Sequence, residues 1–513
     1  MCMSARGRSV PFLSMLAAVA ALLVPMTATG ARAAAACIPS GTDAAINAAL
    51  TGSGSAAVLC PGAVFTLSNS IRFTAPNQRI ETQGLPTDDS RATLKLSGSL
   101  TTAINGTDQS GVTVQNIQID GGRPSLGRLD GGALMEMGAS GTGQTVQNVY
   151  AHDTRSWSTL HFIEGAVTNS TPACQGAKIL NNTIGPAGTD TPSGTWADGI
   201  SLACGNSTVQ GNTVQDATDG GIVIFGAPGS SVKNNTITAR TRTLLGGINL
   251  VDYAPMNGNY TGTTVTGNTV DAQSAFIKVG IAMGPQVWGC GTGTNYGASV
   301  TGNTLRGAHM GYGYAVNGVR DWTVTGNADS STHVGTPNAG CGGTVSAPGR
   351  FQVQSATSST LQPEFTSAQL TYVLGVAEHP PTGQVISLRA HADNQYVTAD
   401  NGGASPLIAN RTAIGSWEQF DLIDQGGGAI ALRAHANNQY VTADNGGASP
   451  LIANRTAIGS WETFALVHNA DGSVSLRANA NNEYVTAENA GASALIANRT
   501  AIGPWEEFDL IQD

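Results

Sequence analysis

The chain has 513 residues, of which only 11% are charged, while Gly occupies 66 positions. So few Lys, Glu and Arg leave little material for exposed helical faces, which excludes coiled coils and helical repeats; a hydrophobic share of 41% excludes wholesale disorder. With 24 bases against 34 acids the net charge is −10, which argues against nucleic acid or an anionic membrane surface as a partner.

At the N-terminus, Arg6 and Arg8 precede an apolar run from Phe12 to Val24, and Ala31-Arg32-Ala33 forms a small-x-small cleavage site. That pattern predicts a secretory signal peptide over residues 1–33 and an extracellular location. Its removal takes three Arg of the 24 bases and no acid, leaving 21 against 34 and a net charge of −13. A tight grip on a highly anionic polymer would then require bases that cluster locally. No later stretch reaches membrane-spanning length. Six Cys remain in the mature chain, and sequence alone cannot choose among their possible pairings. Proximity in the chain favours Cys37 with Cys60, Cys174 with Cys204, and Cys290 with Cys341. There is no Cys-x-x-Cys spacing and export favours oxidation, so disulfides are expected rather than a metal site.

From about residue 112 to 327 a loose unit recurs, carrying Asn116, Asn148, Asn182, Asn212, Asn235, Asn268, Asn303 and Asn327. A second short apolar strand lies between these units, as in Gly199-Ile-Ser-Leu, Gly221-Ile-Val-Ile, Gly247-Ile-Asn-Leu and Gly280-Ile-Ala-Met. Short β-branched strands at this period predict the coils of a β-solenoid, with the repeated Asn stacking as a ladder where each coil bends. This part resembles the right-handed parallel β-helix proteins of the pectate lyase superfamily over roughly residues 37–378, and the expected β-helix domain spans residues 34–378. Residues 379–383 read as a linker.

A stricter repeat follows. Ile386-Ser-Leu-Arg-Ala, Ile430-Ala-Leu-Arg-Ala and Val474-Ser-Leu-Arg-Ala stand 44 residues apart, and each opens a copy ending in Trp-Glu-x-Phe. Three such units of four short strands predict a β-trefoil over residues 384–513, with Leu388, Tyr396, Trp417 and Phe420 filling its core. The motif resembles the fascin-like trefoil. Trefoils joined to secreted enzymes resemble sugar-binding modules, so the resemblance implies a carbohydrate-binding role. The fold class expected for the whole chain is all-β, a parallel β-helix followed by a trefoil.

Stacked apolar side chains fill a parallel β-helix, so a ligand must lie along an outer groove. Setting Leu160, Ile200, Ile222, Ile248, Ile281 and Tyr314 in register places His161, Ser201, Val223, Asn249 and Ala282 outward on one line. Asp198 in Trp196-Ala-Asp-Gly-Ile and Asp219 in Thr218-Asp-Gly-Gly-Ile then fall one coil apart, with Asp198 over Gly220. Coils roughly 4.8 Å apart can bring such carboxyl groups to the separation of about 5–9 Å that glycosidases use. Asp198 and Asp219 are the candidate acid and its partner, with Asp252 in reserve; the bland alternative is that Asp-Gly only turns the chain into a strand.

The candidate substrate-binding residues are His161, Glu164, Trp157, Trp196, Arg240, Arg242, Tyr253 and Lys278. The bases could hold a sugar carboxylate or simply pair with Asp198 and Asp219, and the rings could stack on a sugar face. The polygalacturonase motifs Asn-Thr-Asp, Gly-His-Gly and Arg-Ile-Lys are absent, so the superfamily resemblance transfers no catalytic residue.

The reading is a secreted, monomeric glycoside hydrolase acting on a polysaccharide, with no cofactor called for and calcium left open. The first alternative is a lyase of a uronate-containing polymer, with His161 as base. The second is a non-catalytic surface protein that binds carbohydrate.

Overall fold

The structure, a computed structural model, describes residues 37–189, 195–337, 340–376, 384–426, 428–469 and 471–512. The expected signal peptide and the linker 379–383 lie outside the described residues.

From Ala56 each circuit of the chain lays down three strands. Ala56–Leu59, Val64–Leu67 and Ile71–Arg72 form one coil, and Arg79–Thr82, Ala92–Leu96 and Ile104–Asn105 the next. Equivalent strands of successive coils pair in parallel, building two sheets of 11 strands and one of 12. This is a parallel β-helix. The third sheet, which carries the third strand of each coil, has the expected register: Leu160 pairs with Ile200, then Ile222, Ile248, Ile281 and Tyr314. These side chains are fully buried. The short helix Asp43–Ala49 covers the first coil, pressing Ile46 and the following Leu50 onto the core.

The bend between the first and second sheets explains the recurring Asn. Each Asn from Asn182 to Asn303 donates its Nδ2 to the Oδ1 of the next, through Asn212, Asn235, Asn268, Asn303 and Asn327, at 2.8–3.0 Å. Each also donates its backbone N–H to that same oxygen. Asn116 and Asn148 are a correction. They stand one position earlier, at φ 51° and 53°, where later coils carry Gly211, Gly267 and Gly302. That position needs a left-handed backbone, which Asn tolerates and Gly adopts freely.

Past Asn249 the outer face of the third sheet is covered. Val279, Ala282, Tyr312 and Ala315 form a second apolar cluster with Leu370, Val373 and Val376.

In the C-terminal part, Gln384–Ala390, Phe420–Gly426, Ala429–Ala434, Phe464–His468, Val474–Ala478 and Phe508–Gln512 pair antiparallel in a closed ring. Three hairpins, one per repeat, complete it, the first joining Tyr396–Ala399 to Leu407–Arg411. Closed six-stranded barrel plus three hairpins is a β-trefoil. Its core holds Leu388, Phe420 and their repeats, separate from the β-helix core. Trp417 is a correction: it is 40% exposed, and Trp461 and Trp505 match it at 38% and 37%. The three Trp carbonyls are used in the same way: those of Trp417, Trp461 and Trp505 accept the N–H of Ala399, Ala443 and Ala487.

The cysteines pair as Cys37–Cys60, Cys174–Cys204 and Cys290–Cys341. Three disulfides suit an oxidising compartment. Among the described residues, no helix is long and apolar enough to cross a membrane.

Candidate active site

The strands of the third sheet present a line of outward side chains that runs up to the covered end past Asn249. Asn105, Glu136, His161, Ser201, Val223 and Asn249 are successive neighbours on it. Alternation explains the placement, since each residue follows an inward Ile, Leu or Met and therefore points out of the coil.

Asp198 opens its strand, and Ser158 is its neighbour on the preceding coil. Its Oδ2 accepts the Ser201 hydroxyl at 2.7 Å and its Oδ1 accepts the Gly220 N–H at 3.1 Å. Ser201 is itself 2.7 Å from the Ser158 hydroxyl. Asp198 is only 4% exposed. Burial, then the charge of Asp219, hold its pKa well above the usual carboxylate range, against the Ser201 hydrogen bond. Asp219 and Asp252 are only half-buried. Burial pushes Asp219 up to about 6, and burial with the nearby Asp219 charge pushes Asp252 up to about 7. The Asp252 Oδ2 is enclosed without a hydrogen-bond partner. The three acids therefore form one electrostatic group, and Asp252, held in reserve by the sequence reading, is a full member.

On the same face two glycines make room for the Asn249 side chain. A Cβ on Gly246 would lie 2.0 Å from the Asn249 Oδ1, and one on Gly220 would lie 2.6 Å from the Asn249 Nδ2. Asn249 is fully buried with both amide atoms unpaired, directly over these glycines.

His161 faces the groove one coil before Ser201. Its Nδ1 meets Glu136, and its ring meets Trp157 edge-on with centroids 4.8 Å apart. Trp157 is 38% exposed, and its carbonyl accepts the Asp198 N–H. Glu136 was missed in the sequence. The signal was present in Met135-Glu-Met137, whose Met135 continues the inward line ahead of Leu160.

The other expected binding residues are dispersed. Lys278 is a correction: its Nζ donates to the Leu374 carbonyl beneath the covering segment, and burial lowers its pKa. Arg240 donates to the Gln273 side chain at a different corner, and Arg242 to the Gly188 carbonyl. Neither is among the described partners of Asp198 or Asp219, so the ion-pair alternative is not what holds these acids. Glu164 lies half-buried past the end of the His161 strand, and Trp196 half-buried two residues before Asp198. Tyr253, 44% exposed, follows Asp252 and lines a separate hollow with Tyr296 and Arg320.

No family model and no curated protein matches the chain. Similar solved structures include a designed threefold symmetric protein, ThreeFoil, at 22% identity over 25% of this chain and 99% of that one, with a TM-score of 0.24. An exo-β-1,3-galactanase from Clostridium thermocellum aligns at 13% identity over 29% of this chain and 35% of its own, with a TM-score of 0.24. A Polyporus squamosus lectin aligns at 11% identity over 26% of this chain and 50% of its own, again with a TM-score of 0.24.

Proposed function

We propose that the protein is a glycoside hydrolase acting on an extended polysaccharide. The observation that carries this reading is the group of three carboxyls, Asp198, Asp219 and Asp252, with pKa values raised to different extents on one outer groove. Glycosidic cleavage needs one protonated and one ionised carboxyl across the bond. Between pH 6 and 7, Asp252 keeps its proton and serves as the acid, while Asp219 is ionised and serves as base or nucleophile. Asp198 is too enclosed to reach a sugar. It is a positioning residue, and its retained proton spares Asp219 a second adjacent negative charge. Trp157 offers the exposed ring on which a neighbouring sugar stacks.

The trefoil fits a binding role. Trp417, Trp461 and Trp505 stand exposed at equivalent places. Each repeat also holds an Arg on a carboxylate, Arg411 on Asp400, Arg455 on Asp444 and Arg499 on Glu488, at 2.8–2.9 Å. Three equal sites give avidity on a polymer with repeated epitopes.

Incubation with a panel of neutral and acidic polysaccharides, reading new reducing ends, tests the hydrolase. Loss of product in both D219N and D252N supports it, and undiminished product in both removes the acids from the mechanism. The His161–Glu136 contact favours a second reading, β-elimination with His161 Nε2 as base. Unsaturated products absorbing in the ultraviolet would select it.

A further inference from the structure

A pocket of about 370 Å³ opens where successive coils turn from the second sheet into the third. Arg123, Arg128 and Arg242 line it with Thr189, Thr195 and Asp153. Its volume lies at the lower end of the range of about 300–1,000 Å³ typical of small-ligand sites.

Among the described residues its charge is poorly compensated. Arg123 is buried, yet it donates to the Thr154 and Thr195 carbonyls and the Thr189 hydroxyl, all neutral acceptors. Arg242 likewise donates to the neutral Gly188 carbonyl. Arg128 has an acid, Asp130 at 2.6 Å, but that carboxylate is 84% exposed. Among the described residues the acid lining the pocket is Asp153, whose Oδ2 already meets the His152 Nδ1 at 2.6 Å. Burial lowers the Arg123 pKa, and Arg128 and Arg242 lower it further, while Asp153 opposes them more weakly. A buried guanidinium satisfied only by neutral groups gains most from an anion that accepts two hydrogen bonds at once.

The pocket also adjoins the acids. A Cβ on Gly188 would lie 2.0 Å from the Thr218 Oγ1 and 2.4 Å from the Ala197 backbone nitrogen. Those two residues immediately precede Asp219 and Asp198. In a chain with a net charge of −10, three arginines gathered here are the local cluster of bases that an anionic polymer would require.

We propose that this pocket is a subsite for an anionic substituent, a uronate carboxylate or a sulfate ester, on the glycan whose backbone crosses the acid groove. The proposal rests on the groove being a polysaccharide site, so its test reads binding and not turnover, and the two can fail separately. The intact protein is titrated calorimetrically at low salt with sodium sulfate, sodium galacturonate and neutral galactose. Saturable binding of sulfate, galacturonate or both is expected, with none for galactose; the preferred anion identifies the substituent. R242Q should weaken that binding at least about tenfold and D252N should leave it unchanged. R128Q, whose acid partner is exposed, should weaken it to a lesser degree and serves if R242Q fails to fold. No saturable binding of either anion, or wild-type binding in a folded arginine variant, overturns the proposal.

Discussion

The Nδ1 of His161 lies 3.2 Å from the Oε2 of Glu136, its direct neighbour on the preceding coil. Glu136 is anchored in turn, its Oε1 accepting the Ala133 N–H at 2.5 Å. The pair orients the imidazole beside Trp157, and among the described residues Nε2 has no hydrogen-bond partner. E136Q keeps the size of the side chain but replaces the acceptor by an amide. It is expected to lower kcat by about 10–100-fold through misplacement of the ring. Kinetics on a confirmed substrate, with NMR of the His161 tautomer, check this; an altered tautomer with unchanged kcat would make the pair purely structural.

The raised acids predict a narrow pH optimum. Asp219 must be ionised, which fails below about pH 6, and Asp252 must be protonated, which fails above about pH 7. A bell-shaped profile of kcat/KM between these apparent values is expected. A profile flat from pH 5 to 8 would refute the assignment.

The same acids have a cost in stability with a definite sign. Both folded-state pKa values lie above the ordinary 3.8, so between about pH 4 and 7 the folded protein holds more protons than the unfolded chain. Their protonation therefore favours the fold at low pH, and that advantage is lost as pH rises through the window. D252N removes the penalty of an ionised Asp252 and should raise Tm at pH 8 by about 2–4 °C, with little effect at pH 4. Thermal unfolding across this range measures it.

The Asn ladder is expected to govern stability and not chemistry. Asn235 accepts from Asn212 and donates to Asn268 and to the Val209 carbonyl, all buried. N235A strands these partners at about 1–3 kcal/mol for each group left unsatisfied. Denaturant unfolding should show the loss, while activity per folded molecule stays near normal.

Truncating exposed rings separates binding from folding in the trefoil. The triple variant W417A/W461A/W505A should lose most adsorption to insoluble polysaccharide and keep its activity on soluble oligosaccharides. Pull-down beside an oligosaccharide assay reads both, and undiminished adsorption would assign these rings another role.

The sequence by itself determined the backbone plan. The inward line from Leu160 to Tyr314, the outward His161, Ser201 and Asn249, and the threefold C-terminal repeat were all legible. Each follows from a local period, because a strand's alternation and a coil's stacking transmit short-range pattern directly into facing and register. Tertiary structure decided what the side chains are free to do. Lys278 lost its place in the groove because a segment almost a hundred residues onward covers it, and Trp417 stayed outside a barrel that Leu388 and Phe420 already fill. Asp198 and Asp219 look alike in sequence, yet one is enclosed by Ser201 and Gly220 while the other stays half-buried. Arg123 and Arg242 meet across more than a hundred residues only because turns of successive coils stack. Exposure and convergence of charge depend on such distant neighbours, which no local period encodes.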